Sequence, residues 1–241
     1  MSFLHIISND TFTRLYVGLG LLAPIDTCEA AEGLYAIRTG PVNFYIYRKG
    51  SDCIALDTGI REPAARRELD ILGIDPNLVS GVFLSHSDFD HSGGLPVFRK
   101  AAVYFSRDEE QMITGKTARK FRFFHNKRIP QPYILLDDDE DVSVGSIKVK
   151  AIATPGHTPG SMSYLIDSSI LYAGDAFTFR KGSARPVARA LNMDQRATYG
   201  SIRKLAKLEN VKLALTSHRG YTSDFANATA DWRRAAKTYP K

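Results

Sequence analysis

The segment Leu84-Ser85-His86-Ser87-Asp88-Phe89-Asp90-His91-Ser92-Gly93-Gly94 constrains this chain more than any other, because it crowds two histidines and two aspartates into six residues. It continues a strand-like hydrophobic run from Gly81 to Ser85 and precedes a Gly-Gly pair expected to open a helix. A strand end followed by a tight turn aims several side chains at one point, and charge buried at that density needs a compensating cation.

Three further segments make the same offer. His157 lies in Thr154-Pro155-Gly156-His157-Thr158-Pro159-Gly160, Asp175 in Ala173-Gly174-Asp175-Ala176, and His218 in Thr216-Ser217-His218-Arg219-Gly220, each after a strand-like run. If those strands belong to two stacked sheets, their C-terminal edges converge. They then deliver His86, Asp88, Asp90, His91, His157, Asp175 and His218, enough donors for two metal ions that share one carboxylate. His5 and His125 have no such setting and are expected not to be ligands.

Periodicity supplies the sheets. Leu34 to Ile37, Val42 to Tyr47 and Cys53 to Leu56 read as strands of a meander bounded by turn residues. Glu62 to Leu72 has helical spacing, with Ala65, Leu69 and Leu72 on one face and Gly73 as a stop. Val103 to Phe105 reads as a strand and Arg107 to Ile113 as a short helix stopped near Gly115. The second half repeats the scheme: strands at Val142 to Ala153, Met162 to Ile166 and Ile170 to Tyr172, a helix at Thr198 to Leu208, a strand at Val211 to Thr216, and a last helix containing Ala228 to Ala236. A meander followed by a helix, occurring twice, predicts a layered α/β sandwich.

The chain has 241 residues, against roughly 150 per domain. No Pro, Gly or Ser-rich linker divides it, so 1–241 is expected to be a single domain. With 44% hydrophobic and 24% charged residues it is neither disordered nor fibrous. No apolar run approaches the roughly 20 residues of a membrane helix, and Met1 to Phe12 shows no signal-peptide pattern. A soluble, cytoplasmic protein with no membrane partner is expected. Cys28 and Cys53 lack metal or redox spacing and read as free thiols. The net charge of +6 is a weak nucleic-acid signal, and nucleic acid is not expected as a partner.

One stretch breaks the pattern. Lys116, Arg119, Lys120, Arg122, Lys127 and Arg128 interleave with Phe121, Phe123, Phe124 and His125, ahead of the acidic run Asp137 to Asp141. It reads either as a solvated surface excursion with anchoring aromatics or as an entry lip that attracts an anionic substrate. After Asp175 come Arg180, Lys181, Arg185 and Arg189, which either clamp an anionic group or make surface salt bridges.

Taken together, the Leu56-Asp57-Thr58-Gly59 turn, the His-x-x-x-Asp-His core, the Thr-Pro-Gly-His-Thr turn, the Gly-Asp turn and the late histidine resemble the metallo-β-lactamase-fold superfamily of metallohydrolases, from about Leu34 to Gly220. The resemblance implies a four-layer αββα sandwich with two metals between the sheet edges. It assigns His86, residue 88 and His157 to one metal, Asp90, His91 and His218 to the other, and Asp175 to the bridge. The layout is similar to the hydroxyacylglutathione hydrolase and lactonase branches. The chain departs from the commonest pattern, His-x-His-x-Asp-His, by carrying Asp88 at the second histidine. A third carboxylate lowers the charge of the loaded site and shifts preference from zinc toward manganese or iron.

The expected chemistry is hydrolysis of an ester, thioester or lactone, with an anionic small molecule as substrate, by a metal-bound hydroxide near neutral pH. Asp90 either orients that nucleophile and shuttles a proton or acts only as a ligand. A phosphodiesterase and a non-haem iron redox enzyme of the same fold are the alternatives, and a ligand-binding module without turnover is a third class. The oligomeric state is not legible in the sequence.

Overall fold

A computed structural model describes residues 22–119, 129 and 131–234. His5 and the basic aromatic residues Lys120 to Arg128, with Arg122, His125 and Lys127 among them, lie outside the described residues.

The first sheet holds seven strands in chain order: β1 (Cys28–Ala31), β2 (Leu34–Thr39), β3 (Val42–Lys49), β4 (Asp52–Leu56), β5 (Gly81–Phe83), β6 (Ala102–Ser106) and β7 (Tyr133–Leu136). Its first four strands form an antiparallel meander, and β4 to β7 run parallel. The second sheet contains β8 (Asp141–Val144), β9 (Ile147–Ala153), β10 (Met162–Ile166), β11 (Ile170–Tyr172), β14 (Leu213–Leu215) and β15 (Tyr221–Thr222), in the spatial order β15-β14-β11-β10-β9-β8. A separate hairpin joins β12 (Thr178–Arg180) and β13 (Ser183–Arg185).

Alternation along the strands sorts side chains into three apolar layers. Leu34, Ala36, Tyr45, Ile54, Leu56 and Phe83 of the first sheet meet Val149, Tyr164, Tyr172 and Leu215 of the second. On the outer side of the first sheet, Ile37, Phe44, Ala55 and Val82 pack under Ala65 and Leu69 of α1 (Glu62–Ile71). Outside the second sheet, Ile152, Leu171 and Ala214 pack under Ile202 and Leu205 of α4 (Gln195–Ala206) and Trp232 of α6 (Ala230–Arg234). This is the four-layer αββα sandwich. The short helices α2 (Phe89–Ser92), α3 (Glu110–Ile113) and α5 (Phe225–Ala228) complete the described elements.

Several boundaries differ from expectation for local reasons. Val142 to Ala153 is two strands, because Gly145 at φ 58° turns the chain into a hairpin. The helix expected from Thr198 starts at Gln195, since the Asp194 carboxylate accepts from Arg196 N and Ala197 N. Arg107 to Ile113 begins as a 3-10 turn before α3. The strand expected over Val211 to Thr216 is confined to β14. The last helix breaks at Thr229, whose hydroxyl donates to Phe225 O, into α5 and α6. The very short β15 and the strands β1, β7, β12 and β13 carried too little alternation to be read.

Candidate metal centre

All four ligand-bearing segments leave their sheets at one edge. β5 ends at Phe83, and the chain bends at Ser85 on its way to Asp88, the N-cap of α2, which carries Asp90 and His91. His157 lies in the turn after β9, Asp175 after β11 and His218 after β14. These three strands share one direction, since β10 is antiparallel to both β9 and β11, and β14 is parallel to β11. Gly93 caps the end of α2, and Gly94 opens a short 3-10 turn over Leu95–Val97. A Cβ at either would stand 2.0 Å from a carbonyl oxygen, of Ile60 and Thr58 respectively, so only glycine admits that loop so close. In return Thr58 donates to His91 O from both its N–H and its hydroxyl, at 2.8 Å each.

The seven side chains meet there. Asp88 Oδ2 lies 3.5 Å from His86 Nε2 and 3.4 Å from His157 Nε2. Asp90 Oδ2 lies 3.7 Å from His91 Nε2 and 3.6 Å from His218 Nε2. A single oxygen of Asp175, Oδ2, lies 3.6 Å from His91 Nε2, 3.4 Å from His157 Nε2 and 3.4 Å from His218 Nε2, so it belongs to both halves.

A layer of hydrogen bonds turns each imidazole. His218 Nδ1–H donates to Pro41 O at 2.9 Å, because a carbonyl only accepts. Asp57 takes His91 Nδ1–H at 2.6 Å and the Ser85 hydroxyl at 2.7 Å on the same oxygen. With its one proton so committed, Ser85 Oγ accepts from His86 Nδ1 at 2.9 Å. His157 Nδ1 faces Asn192 Oδ1 at 3.3 Å, while the Asn192 amide donates to Gln195 and Val187. In the neutral form of each of the four rings this network assigns the proton to Nδ1 and turns the Nε2 lone pair inward, the form in which a metal ion is bound.

These are groups that await a cation. His86 Nε2, His91 Nε2 and Asp88 Oδ1 are buried without a hydrogen-bond partner, a costly state for polar atoms. Donors bonded to one tetrahedral ion at about 2.0–2.2 Å stand roughly 3.3–3.6 Å apart, close to the separations seen. Among the described residues the donors fall into overlapping groups, including His86/Asp88/His157, Asp90/His91/His218 and His86/His91/Asp175, each spanning at most 4.8 Å. The residues therefore fit divalent ions.

Charge distribution agrees. Burial opposes charge on His91, yet Asp90, Asp175 and Asp57 outweigh it and lift its pKa to about 10. His218 is likewise raised, by Asp175 and Asp90 against burial. His86 is pushed down by burial and by His91 beside it. Burial alone would raise Asp175, but His218, His91 and His157 hold it well below the usual carboxylate range.

Some functional partners were not legible in advance: Asp57 as a buried hub, Ser85, Asn192, Tyr172 and Glu109. Glu109 is fully buried and accepts from Ser87 N at 2.8 Å, Ser87 Oγ at 2.6 Å and Thr158 Oγ1 at 2.7 Å, tying the Asp88 loop to the His157 turn. Glu109→Ala orphans three donors, each worth about 1–3 kcal/mol. Metal affinity should fall about 10- to 100-fold, read by chelator competition alongside thermal unfolding. Unchanged affinity would assign Glu109 to packing alone.

The basic residues after Asp175 are not drawn into the cluster. Arg180 and Lys181 stand exposed at the turn of the β12–β13 hairpin, Arg185 pairs with Asp231 at 3.4 Å, and Arg189 is exposed. Arg180 does lie near enough to Arg219, beside His218, to join burial in lowering the Arg219 pKa. From the other basic stretch, Arg119 reaches the centre and contacts Asp88. Cys28 and Cys53 are free, and no helix among the described residues is long and apolar enough to cross a membrane.

A family model described as the metallo-beta-lactamase superfamily matches residues 37–218, most of the chain and all seven converging side chains. The chain belongs to the metallo-β-lactamase superfamily. Within it, the probable metallo-hydrolase YqgX of Bacillus subtilis is 25% identical over 189 residues, covering 74% of this chain and 86% of its own. A hydroxyacylglutathione hydrolase from Bartonella tribocorum is 30% identical over 147 residues, covering 60% of this chain and 50% of its own. Among solved structures, the metallo-beta-lactamase family protein TTHA1429 of Thermus thermophilus superimposes with a TM-score of 0.63 at 21% identity, covering 83% of this chain and 78% of its own, a likeness of fold. This superfamily member is a metallohydrolase, and its fold implies divalent metal ions and a small-molecule substrate.

Proposed function

We propose that two divalent ions bind at the sheet edge, one held by His86, Asp88 and His157, the other by Asp90, His91 and His218, with Asp175 between them, and that the enzyme hydrolyses an ester, thioester or lactone. The observation that carries this reading is the convergence of seven side chains on one point with three buried donor atoms unpaired. Divalent ions held there supply a water deprotonated near neutral pH and polarise the oxygen of an electrophilic carbonyl. The chain does the rest. Ser85, Asn192, Asp57 and Pro41 hold the imidazoles in register, and the buried walls exclude bulk water. Asp90, at 17% side-chain exposure more open than Asp88 or Asp175, orients the attacking group and shuttles a proton during turnover. Zinc fits the donor set, and the carboxylate of Asp88 favours manganese or iron.

The thioester assignment is supported by the Bartonella relative, since an acyl group carried on glutathione is a thioester. The anionic character of the substrate rests on the sequence alone, on the basic residues Arg122, Lys127, Arg180 and Lys181. We further propose that 1–241 is one domain. A turnover screen of thioesters, esters, lactones and phosphodiesters on zinc-, manganese- and iron-loaded protein tests the reading. Carbonyl substrates should turn over, and turnover of phosphodiesters alone would replace it. Asp90→Asn should lower kcat by about 10²-fold or more with the metal content of the His86 half retained. Full activity in that variant would leave Asp90 a ligand only. Asp88 also favours a second reading, non-haem iron redox chemistry, which visible absorption bands of protein expressed without added metal would support.

A further inference from the structure

Arg119 places a guanidinium inside the ligand cluster. Its side chain is 6% exposed and that of its partner Asp88 3%. Nη2 lies 2.7 Å from Asp88 Oδ2 and 3.0 Å from His157 Nε2, and Nη1 donates to the His157 main-chain oxygen. A guanidinium has only donors and keeps its charge. The proton of His157 is committed to Nδ1, facing Asn192 Oδ1. His157 Nε2 therefore accepts from Arg119 with the one lone pair that a metal ion in that half would take. The two cannot use it together.

We infer that Arg119 is a resident cation of the His86/Asp88/His157 half, which a metal ion must displace, so that the Asp90/His91/His218 half loads first. The inference rests on the reading of these side chains as a metal centre. Charge favours the same order: one divalent ion and the guanidinium together neutralise the carboxylates of Asp88, Asp90 and Asp175. A second ion then enters against a cation already satisfied. In the other half, His91 Nε2 has no hydrogen-bond partner, so a metal ion there displaces a proton but no side chain. The segment leading to Arg119 from α3 runs along the surface, with Thr114, Gly115, Lys116 and Ala118 exposed.

Zinc titration against a chromophoric chelator tests this in the wild type and in Arg119→Ala. The wild type should take one equivalent tightly and a second weakly. A site closed in about 99 of 100 molecules binds about 100-fold more weakly than an open one, so Arg119→Ala should tighten the second equivalent on the order of 10- to 100-fold and leave the first unchanged. Two affinities unaltered by the substitution would overturn the inference while leaving the metal centre standing, whereas failure of both proteins to take metal would overturn the centre itself. Because Arg119→Ala leaves buried Asp88 unpaired and can fail to fold, wild-type crystals at one equivalent and at excess metal provide the second measurement. Anomalous scattering should show one ion among Asp90, His91 and His218 with Arg119 on Asp88, then a second ion with Arg119 withdrawn. A first ion beside Asp88, or a second with Arg119 unmoved, would refute it.

Discussion

Asp57→Ala should cost the fold about 3–5 kcal/mol, the scale for removing one partner from a buried ion pair. Asp57 is fully buried and collects four donors: Ser85 N at 2.6 Å, Ser85 Oγ at 2.7 Å, His91 Nδ1 at 2.6 Å and Tyr172 OH at 2.5 Å. Alanine removes the shared acceptor of all four, across both sheets, leaving Tyr172 OH to Ser217 Oγ and Ser85 Oγ to His86 Nδ1. It also occupies φ 61° less readily than an aspartate, whose short polar side chain is among the few that tolerate the left-handed region. The same change releases the rings of His86 and His91, so metal affinity should fall about 10- to 100-fold. Asp57→Asn keeps the backbone preference and one acceptor oxygen, and should sit between the two. Urea unfolding and chelator competition measure these effects. An Asp57→Ala protein within about 1 kcal/mol of the wild type, with its metal affinity intact, would show that the hub is incidental.

That Asp57 had to wait for the structure illustrates where sequence stops being informative. The seven converging side chains were legible because each follows an apolar run and sits in a turn marked by glycine, proline or serine. The sheets were legible because short apolar strands fill both faces of a buried sheet, with Leu34 and Ala36 on one face of β2 and Ile37 on the other. Asp57 and Ser85 stand inside motifs of the sequence, yet like Tyr172, Asn192 and Glu109 they are common polar residues whose roles emerge only from burial beside partners as far as 115 positions away. Arg119 was hidden differently. It lies in a run of basic residues that reads as a solvated excursion or an entry lip, and nothing local says that its guanidinium turns inward to Asp88. The shorter strands and the break at Thr229 were lost because two or three residues carry no period, and a single hydroxyl bonding back to Phe225 decides where the helix stops.

Removing metal should make stability depend on pH in a particular window. In the metal-free protein His91 keeps its proton up to a pKa of about 10, because Asp90, Asp175 and Asp57 overcome the burial that opposes its charge. In the unfolded chain an ordinary histidine titrates near 6.5. A folded pKa above the unfolded value means that the contribution is complete below about pH 6.5 and is lost as pH rises toward 10. His218, also raised, adds in the same direction. His86 is lowered, so its influence falls below pH 6.5, outside the window. Chelator-treated protein should thus lose on the order of a few kcal/mol between pH 6.5 and 10. Metal-loaded protein should lose little over that range, because a divalent ion replaces the proton as the cation the carboxylates require. A ligand at about 1,000 times its Kd adds about 4 kcal/mol, and that increment should widen with pH, since uptake at neutral pH must first expel the His91 proton. Thermal unfolding of both forms across the window, with proton release on metal addition followed in weakly buffered solution, tests the exchange directly. Parallel decline of the two stability curves, with no protons released, would mean that metal and proton do not compete for His91, and that the buried carboxylates are balanced by some other charge.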